Sequence, residues 1–193
     1  MIANKRQSIM DAAKHAFSLF GYKGTTVAHV AKVAHVGKGT IYTEFTNKEQ
    51  LFEAVMDELI YDVELQFHNI MQRDGKTLDL LHEALYGVLR YRKEHKLLAQ
   101  LTEEVNVFGT QEAHMAIARV EELILKQIER VVERGANRRR LLVTNPKVTA
   151  FTIYKLYMAF IVDWEQNEPP LSERELYDVF KNHIFDGIAI RQP

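Results

Sequence analysis

Apolar residues recur with a helical period along almost the whole chain. Ile9, Ala12, Ala13, Ala16, Phe17 and Phe20 fall at i, i+3, i+4, i+7, i+8 and i+11, one face of a 3.6-residue helix. This predicts a first helix over 3–20, closed by Gly21 where a left-handed cap belongs. Thr26 is placed to cap a second, eight-residue helix whose Val27, Val30, Ala31 and Ala34 point one way. His35-Val36-Gly37 is a turn, and 38–45 a third helix with Ile41 and Phe45 inward. Two overlapping capping boxes, Thr46…Glu49 and Asn47…Gln50, announce a fourth helix over 48–72 with the spine Leu51, Val55, Leu59, Val63, Phe67 and Ile70. Helices over 77–95, 97–107 and 111–134 follow, separated by Asp74-Gly75 and Gly109-Thr110. Asn145-Pro146 is an N-cap followed by proline at the first helical position, opening an eighth helix to about residue 166. Pro169-Pro170 stops it, and the box Ser172…Glu175 starts the last, with Leu176, Phe180, Ile184 and Ile188 at steps of four. No segment reads as a strand and no repeat is present, so the expected fold is all-α with about nine helices.

Composition adds bounds. With 47% hydrophobic and 26% charged residues in 193, the chain can bury a sizeable core and is neither disordered nor fibrous. It has no cysteine, which excludes disulfides and thiolate metal sites. The start, MIANKRQSIMDAAKH, carries charges where a signal peptide needs an apolar core. The most apolar run, Val148–Val162, is 15 residues long, short of the ~20 needed to cross a bilayer. No membrane partner is expected, and the expected location is cytoplasmic. The net charge of −1 hides an asymmetry. Residues 1–48 hold seven Lys or Arg against two acids, a balance of +5, whereas 49–193 hold 18 against 24, a balance of −6. A basic head on an acidic body is the pattern of a phosphate-binding module.

The stretch Thr25–Lys48 has the size of a helix-turn-helix, whose second helix enters the major groove of DNA. Its chemistry suits that task. Lys38 and Lys48 can meet backbone phosphates, and the amides of Lys38 and Gly39 lie at a helix start that attracts anions. Gly39 permits close approach. Thr40 and Thr43 can donate, accept, or press a methyl on thymine, and Tyr42 offers a ring and a hydroxyl. Thr25, Thr26 and Tyr22 could contact phosphate at the start of the second helix, with the cap an equal role for Thr26. Glu44 either accepts from cytosine N4 or stays solvated or intramolecular.

Thr25-Thr26, Ala31, Ala34-x-Val36, Lys38-Gly39-Thr40-Ile41-Tyr42, Phe45 and Lys48-Glu49-x-Leu51 together resemble the DNA-binding signature of the TetR/AcrR transcriptional regulators. The chain departs from that pattern at His35, where glycine is usual, and at Gly37, where serine or threonine is usual. The resemblance implies a DNA-binding domain over 1–47 and a ligand-binding and dimerisation domain over 48–193. It further implies a homodimer made by the last two helices, a palindromic double-stranded operator, and release when a small hydrophobic or amphipathic effector enters the body. The body resembles the fatty-acyl-responsive and multidrug-responsive branches.

Residues of the body supply candidates. Aromatic and ionisable residues among apolar neighbours nominate a pocket of Tyr61, Phe67, His82, Tyr86, Arg90, Glu104, Phe108, Tyr157 and Trp164. If Arg90 or Arg92 faces the cavity an acidic ligand fits; if Glu104 or Asp163 does, a cationic one. The run 138–140, all arginine, reads as a solvated loop or a phosphate holder. Val148–Val162 is apolar all round, and with the last helix it nominates a dimer surface of Phe151, Tyr154, Met158, Ile161, Leu176, Phe180, Ile184 and Ile188. No histidine pair stands at the i, i+4 spacing of a metal site, so no metal and no cofactor are expected. No phosphate loop or nucleophile motif suggests an enzyme. The expected function is a dimeric ligand-responsive repressor, the alternative a helical interaction module of the same fold without operator binding.

Overall fold

The computed structural model describes residues 2–138 and 140–188, without the side chains of residues 2–4, 92, 94 and 188. The chain order is α1 (Ile2–Gly24), α2 (Val27–Val33), α3 (Lys38–Glu44), α4 (Lys48–Met71), α5 (Thr77–Glu94), α6 (Lys96–Phe108), α7 (Gln111–Asn137), α8 (Pro146–Met158) and α9 (Glu173–Phe180). A short α10 (Asp186–Ile188) ends the described residues, which form no β-strand. The fold is all-α, as the periodicity requires.

Local signals account for the starts of α2, α4, α8 and α9. Thr26 caps α2 by accepting from the His29 amide at 3.2 Å. Asn145 accepts from Val148 at 3.1 Å with Pro146 behind it. Ser172 and Glu175 close a full capping box on α9, and the bonds from Ser172 hold the Glu175 carboxyl below its ordinary pKa. At α4 the two expected boxes merge: Asn47 caps the Gln50 amide at 2.7 Å, while Gln50, not Glu49, reaches back to the Thr46 amide at 2.6 Å.

Three expectations change. Helix α1 continues past residue 20, with a kink at Gly21 (φ 68°, ψ −176°) that is not a left-handed helix cap. The eighth helix does not run evenly to 166. Regular α geometry ends at Met158, widens into a π turn over Ala159–Asp163, and tightens into a 3₁₀ turn over Trp164–Gln166. The last helix likewise passes through a π turn, Lys181–Phe185.

The chain forms two compact units, one of Met1–Asp62 with Arg92–Val120, the other of Val63–Tyr91 with Glu121–Pro193. This division departs from the expected boundary at residue 47, because α6 and the start of α7 fall with the N-terminal helices. In the first unit α1 packs on α2 and α6, and α2 on α3. Its core holds Ile9, Ala13, Phe17, Ile41, Phe45, Leu51, Leu59, Leu98 and Leu101. The core of the second unit includes Leu81, Leu85, Ile128, Val132, Ile153, Tyr157 and Phe180.

The expected dimer surface needs correction. Tyr154, Ile161, Leu176 and Phe180 are buried within their own chain, with Phe180 stacked on Tyr157 at 3.8 Å. Leu176 and Phe180 of α9 are ordinary core residues, and α8 turns its Ala150/Ile153/Tyr154/Tyr157 side inward. Phe151 is exposed, Met158 and Ile184 are half-buried, and Ile188 lies outside the described side chains. The outer side of α8 and the π turn after it therefore presents Val148, Phe151, Met158 and Val162, interrupted by Lys155, which pairs with Glu121 at 2.5 Å.

Candidate DNA-binding surface

Helix α3 is oriented by what it buries. Ile41 and Phe45, four residues apart, sink into the core of the first unit. Lys38, Gly39, Tyr42 and Thr43 consequently stand outside, Thr40 half-buried between them, and Tyr42 is 54% exposed. The Thr43 hydroxyl donates to the Thr40 carbonyl at 2.7 Å, leaving its lone pairs outward. Arg6 covers the other side of Phe45, its guanidinium 4.8 Å from the ring centre.

The turn between α2 and α3 survives the two unusual residues. His35 takes a left-handed conformation, φ 54°, which histidine tolerates better than most side chains. The Val36 amide then bonds to Ala31 O at 3.0 Å. Gly37 caps α3 with extended backbone and no side-chain bond, so the first amides of α3 have no hydroxyl over them.

Three residues assigned to phosphate do other work. Thr25 is buried; its hydroxyl donates to Gly21 O at 2.7 Å and lies 3.2 Å from Ala16 O, and such a back-bond at i−4 leaves nothing for DNA. Tyr22 is buried between Phe52, at 4.8 Å, and Phe17. Burial, together with the Glu112 and Glu49 carboxylates, pushes its hydroxyl up to about 12. Lys48 donates to Tyr22 O at 2.9 Å with its ammonium 4.0 Å from the Tyr22 ring centre, so its charge secures the fold. The outward-facing set is thus Thr26, Lys38, Gly39, Thr40, Tyr42 and Thr43.

The nominated pocket residues divide between the two units. Tyr61, Glu104 and Phe108 belong to the first unit and the other six to the second. Tyr61 and Phe108 are 62% and 63% exposed, and Phe108 carries the Lys23 ammonium over its ring. Glu104 is spent on a backbone amide, described below. Arg90 and Trp164 are exposed, and the Trp164 indole donates to Pro169 O at 3.0 Å. Phe67 is buried beside a small cleft of about 110 Å³ that also meets Gln127, Arg130 and Arg134.

In the second unit His82, Tyr86 and Tyr157 do gather, joined by Tyr177 and Phe180. His82 Nδ1 lies 2.5 Å from the Tyr157 hydroxyl, with the Tyr177 ring edge-on at 5.0 Å. A separate open cleft in this unit has a volume of about 650 Å³. Leu78, Leu141 and Phe185 form its apolar wall, and its charged lining is mixed: Lys76, Arg140 and Lys181 stand with Asp79 and Asp186, the last paired with Lys181 at 2.9 Å. Sequence reasoning missed it because its lining comes from four separate stretches.

Burial holds the His82 imidazole below its usual pKa, outweighing the upward pull of the Glu173 carbonyl, Asp79 and Glu83. The unfolded chain takes up a proton near pH ~6.5 that the folded chain resists, so stability is complete above that pH and declines as pH falls through the window below it. Denaturation midpoints are therefore expected to be lower at about pH 5.5 than at about pH 7.5. His82→Gln, which cannot titrate, should flatten that dependence. His95, held down by burial and by Lys14, leaves a residual slope. A variant slope equal to that of the unaltered chain contradicts the assignment.

The helix-turn-helix has counterparts among known proteins. The model for bacterial regulatory proteins of the tetR family matches residues 9–55. The chain is 34% identical over 189 residues, 98% of its length and 99% of the relative's, to the uncharacterized HTH-type transcriptional regulator YhgD of Bacillus subtilis strain 168. Among solved structures, the reduced form of E. coli NemR matches with a TM-score of 0.75 at 17% identity, over 98% of this chain and 100% of that one. FadR from Bacillus subtilis, in complex with stearoyl-CoA, matches with a TM-score of 0.69 at 19% identity, over 90% and 94%. These structural likenesses establish the fold, and the full-length sequence match carries the rest. The chain belongs to the TetR family and is a DNA-binding helix-turn-helix transcriptional regulator.

Proposed function

We propose that the chain is a homodimeric repressor that holds a palindromic operator through α3 and leaves it when a small hydrophobic or amphipathic effector occupies the body. The observation that carries the reading is the outer face of α3, where Lys38, Gly39, Tyr42 and Thr43 stand clear while Ile41 and Phe45 anchor the helix. Two copies would read half-sites one helical turn apart, ~34–36 Å. The stripe Val148, Phe151, Met158 and Val162 is the apolar surface that supports self-association.

The cleft of about 650 Å³ in the second unit supports the effector, since pockets for drug-sized ligands run to roughly 300–1,000 Å³. Its apolar wall and its charged groups of both signs suit an amphipathic molecule. FadR was solved with such a molecule, stearoyl-CoA.

The test is capture of fragmented genomic DNA by the full chain, followed by titration of a retained duplex against salt. A protein engaging 6–10 phosphates loses roughly 10³–10⁵ in affinity between about 50 and 200 mM salt. A salt-independent signal, or no retained fragment, sinks operator binding. Transcription in vitro from the retained promoter should fall when the protein is added; a rise would make it an activator.

A further inference from the structure

We propose that Glu104 is a positioning residue for DNA recognition: from α6 it clasps the connector to α2, the last residues of α1 from the kink at Gly21 to Gly24, and so fixes the pose in which α2 and α3 meet DNA. The proposal rests on the DNA-binding reading of α3 and adds a residue far from it in sequence. Glu104 is only 3% exposed, and its two carboxylate oxygens stand 3.1 and 3.3 Å from the Lys23 amide, accepting its hydrogen.

Gly21 makes the approach possible. A Cβ at that position would lie 2.1 Å from Glu104 Oε2. With φ 68° and ψ −176°, Gly21 also occupies a region of backbone space that is essentially glycine's alone. The kink in α1 and the seat of the carboxylate are therefore one feature.

Other groups of the connector are engaged as well. Gly21 O accepts the Thr25 hydroxyl, and Tyr22 O accepts the Lys48 ammonium at 2.9 Å. The Glu112 carboxylate helps to raise the pKa of the Tyr22 hydroxyl, and the Lys23 ammonium lies 4.6 Å from the Phe108 ring centre. Glu104 and Phe108, four residues apart on α6, thus hold Lys23 by its amide and by its ammonium.

Stability alone does not call for this carboxylate. Burying a charge against one N–H donor costs more than it returns, and an apolar side chain of similar volume usually does as well or better. What the carboxylate adds is a directional hold on one backbone amide. Three residues beyond that amide Thr26 caps α2, which carries α3 through the His35 turn. Readout of base edges tolerates displacements of only about 0.5 Å, so the hold matters to recognition.

The experiment uses the full chain with Glu104→Leu, Glu104→Met and Glu104→Gln. Three quantities are read: hydrogen exchange at the Lys23 amide, the thermal midpoint, and affinity for a duplex retained by the unaltered chain against a scrambled duplex of equal length. Glu104→Leu is expected to speed Lys23 exchange and to lower specific affinity by about tenfold, with scrambled-duplex affinity and midpoint unchanged. Glu104→Gln keeps a carbonyl acceptor and should retain most of the discrimination. Glu104→Met carries the same expectation as Glu104→Leu and covers the case in which that variant does not fold.

Unchanged discrimination overturns the proposal, as does unchanged Lys23 exchange. A parallel fall of midpoint and of both affinities, or loss of folding in both apolar variants, marks a merely structural residue and overturns it too. If the unaltered chain retains no duplex, the DNA reading fails with it; if it retains one and all variants bind alike, only the role of Glu104 fails.

Discussion

Lys38→Ala combined with Tyr42→Ala lowers affinity for a duplex selected by the unaltered chain by about 10²-fold, with folding stability unchanged within about 0.5 kcal/mol. Lys38 opens α3 and Tyr42 follows one turn later, so both lie on the side facing away from Ile41 and Phe45. Neither supports the core, and alanine suits an exposed helical position. Lysine on a phosphate contributes little sequence discrimination, so its loss should weaken all duplexes and reduce the salt slope by about one. Tyrosine at the groove should affect the selected duplex more than a scrambled one. Gel-shift titration at two salt concentrations separates the two contributions. If the double variant binds the selected duplex as tightly as the parent, α3 is not the recognition helix.

Phe17→Ala costs the first unit about 3–5 kcal/mol, the range for emptying a buried phenylalanine site. Phe17 is fully buried on α1, meets the edge of Phe52 at 5.0 Å, and stacks on Tyr22 at 6.2 Å. The lost ring leaves a void between α1 and α4, and Tyr22 in the connector loses one of its two aromatic neighbours. Thermal denaturation should show a midpoint lower by on the order of 10 °C. Phe20→Ala is the control, because Phe20 lies on the outer side of the same helix against His29. Equal losses in the two variants would show that the ring packing described for Phe17 does not hold the unit together.

Helix bodies and their caps were legible because both depend on neighbours a few residues away. Thr26, Asn145 and the Ser172–Glu175 box act as their spacing demands. Features that depend on distant chain were not legible. Thr25 and Thr26 look alike in sequence, yet one closes on Gly21 and the other caps α2. Glu104 among apolar neighbours looked like a ligand contact, because nothing local reveals that a backbone amide 81 residues away fills its valences. Some misplacements were avoidable. Tyr61 falls midway between Leu59 and Val63, both buried, and so had to face outward on α4. The spacing of Leu176 and Phe180 on α9 suits a core helix as well as an interface, and their burial makes them core.

The first compact unit is assembled from two stretches of chain, Met1–Asp62 and Arg92–Val120, and this bears on how such a regulator can be recombined. Exchanging the first 47 residues between relatives would transplant α1 without the α6 it packs against, and would bring a foreign residue opposite Glu104. The smallest cassette that keeps its own packing is discontinuous. Swapped DNA specificities should therefore come intact when both segments travel together, while single-crossover chimeras should need compensating changes at 21, 23 and 104. Modularity in this chain is a property of the folded unit, not of a contiguous gene segment.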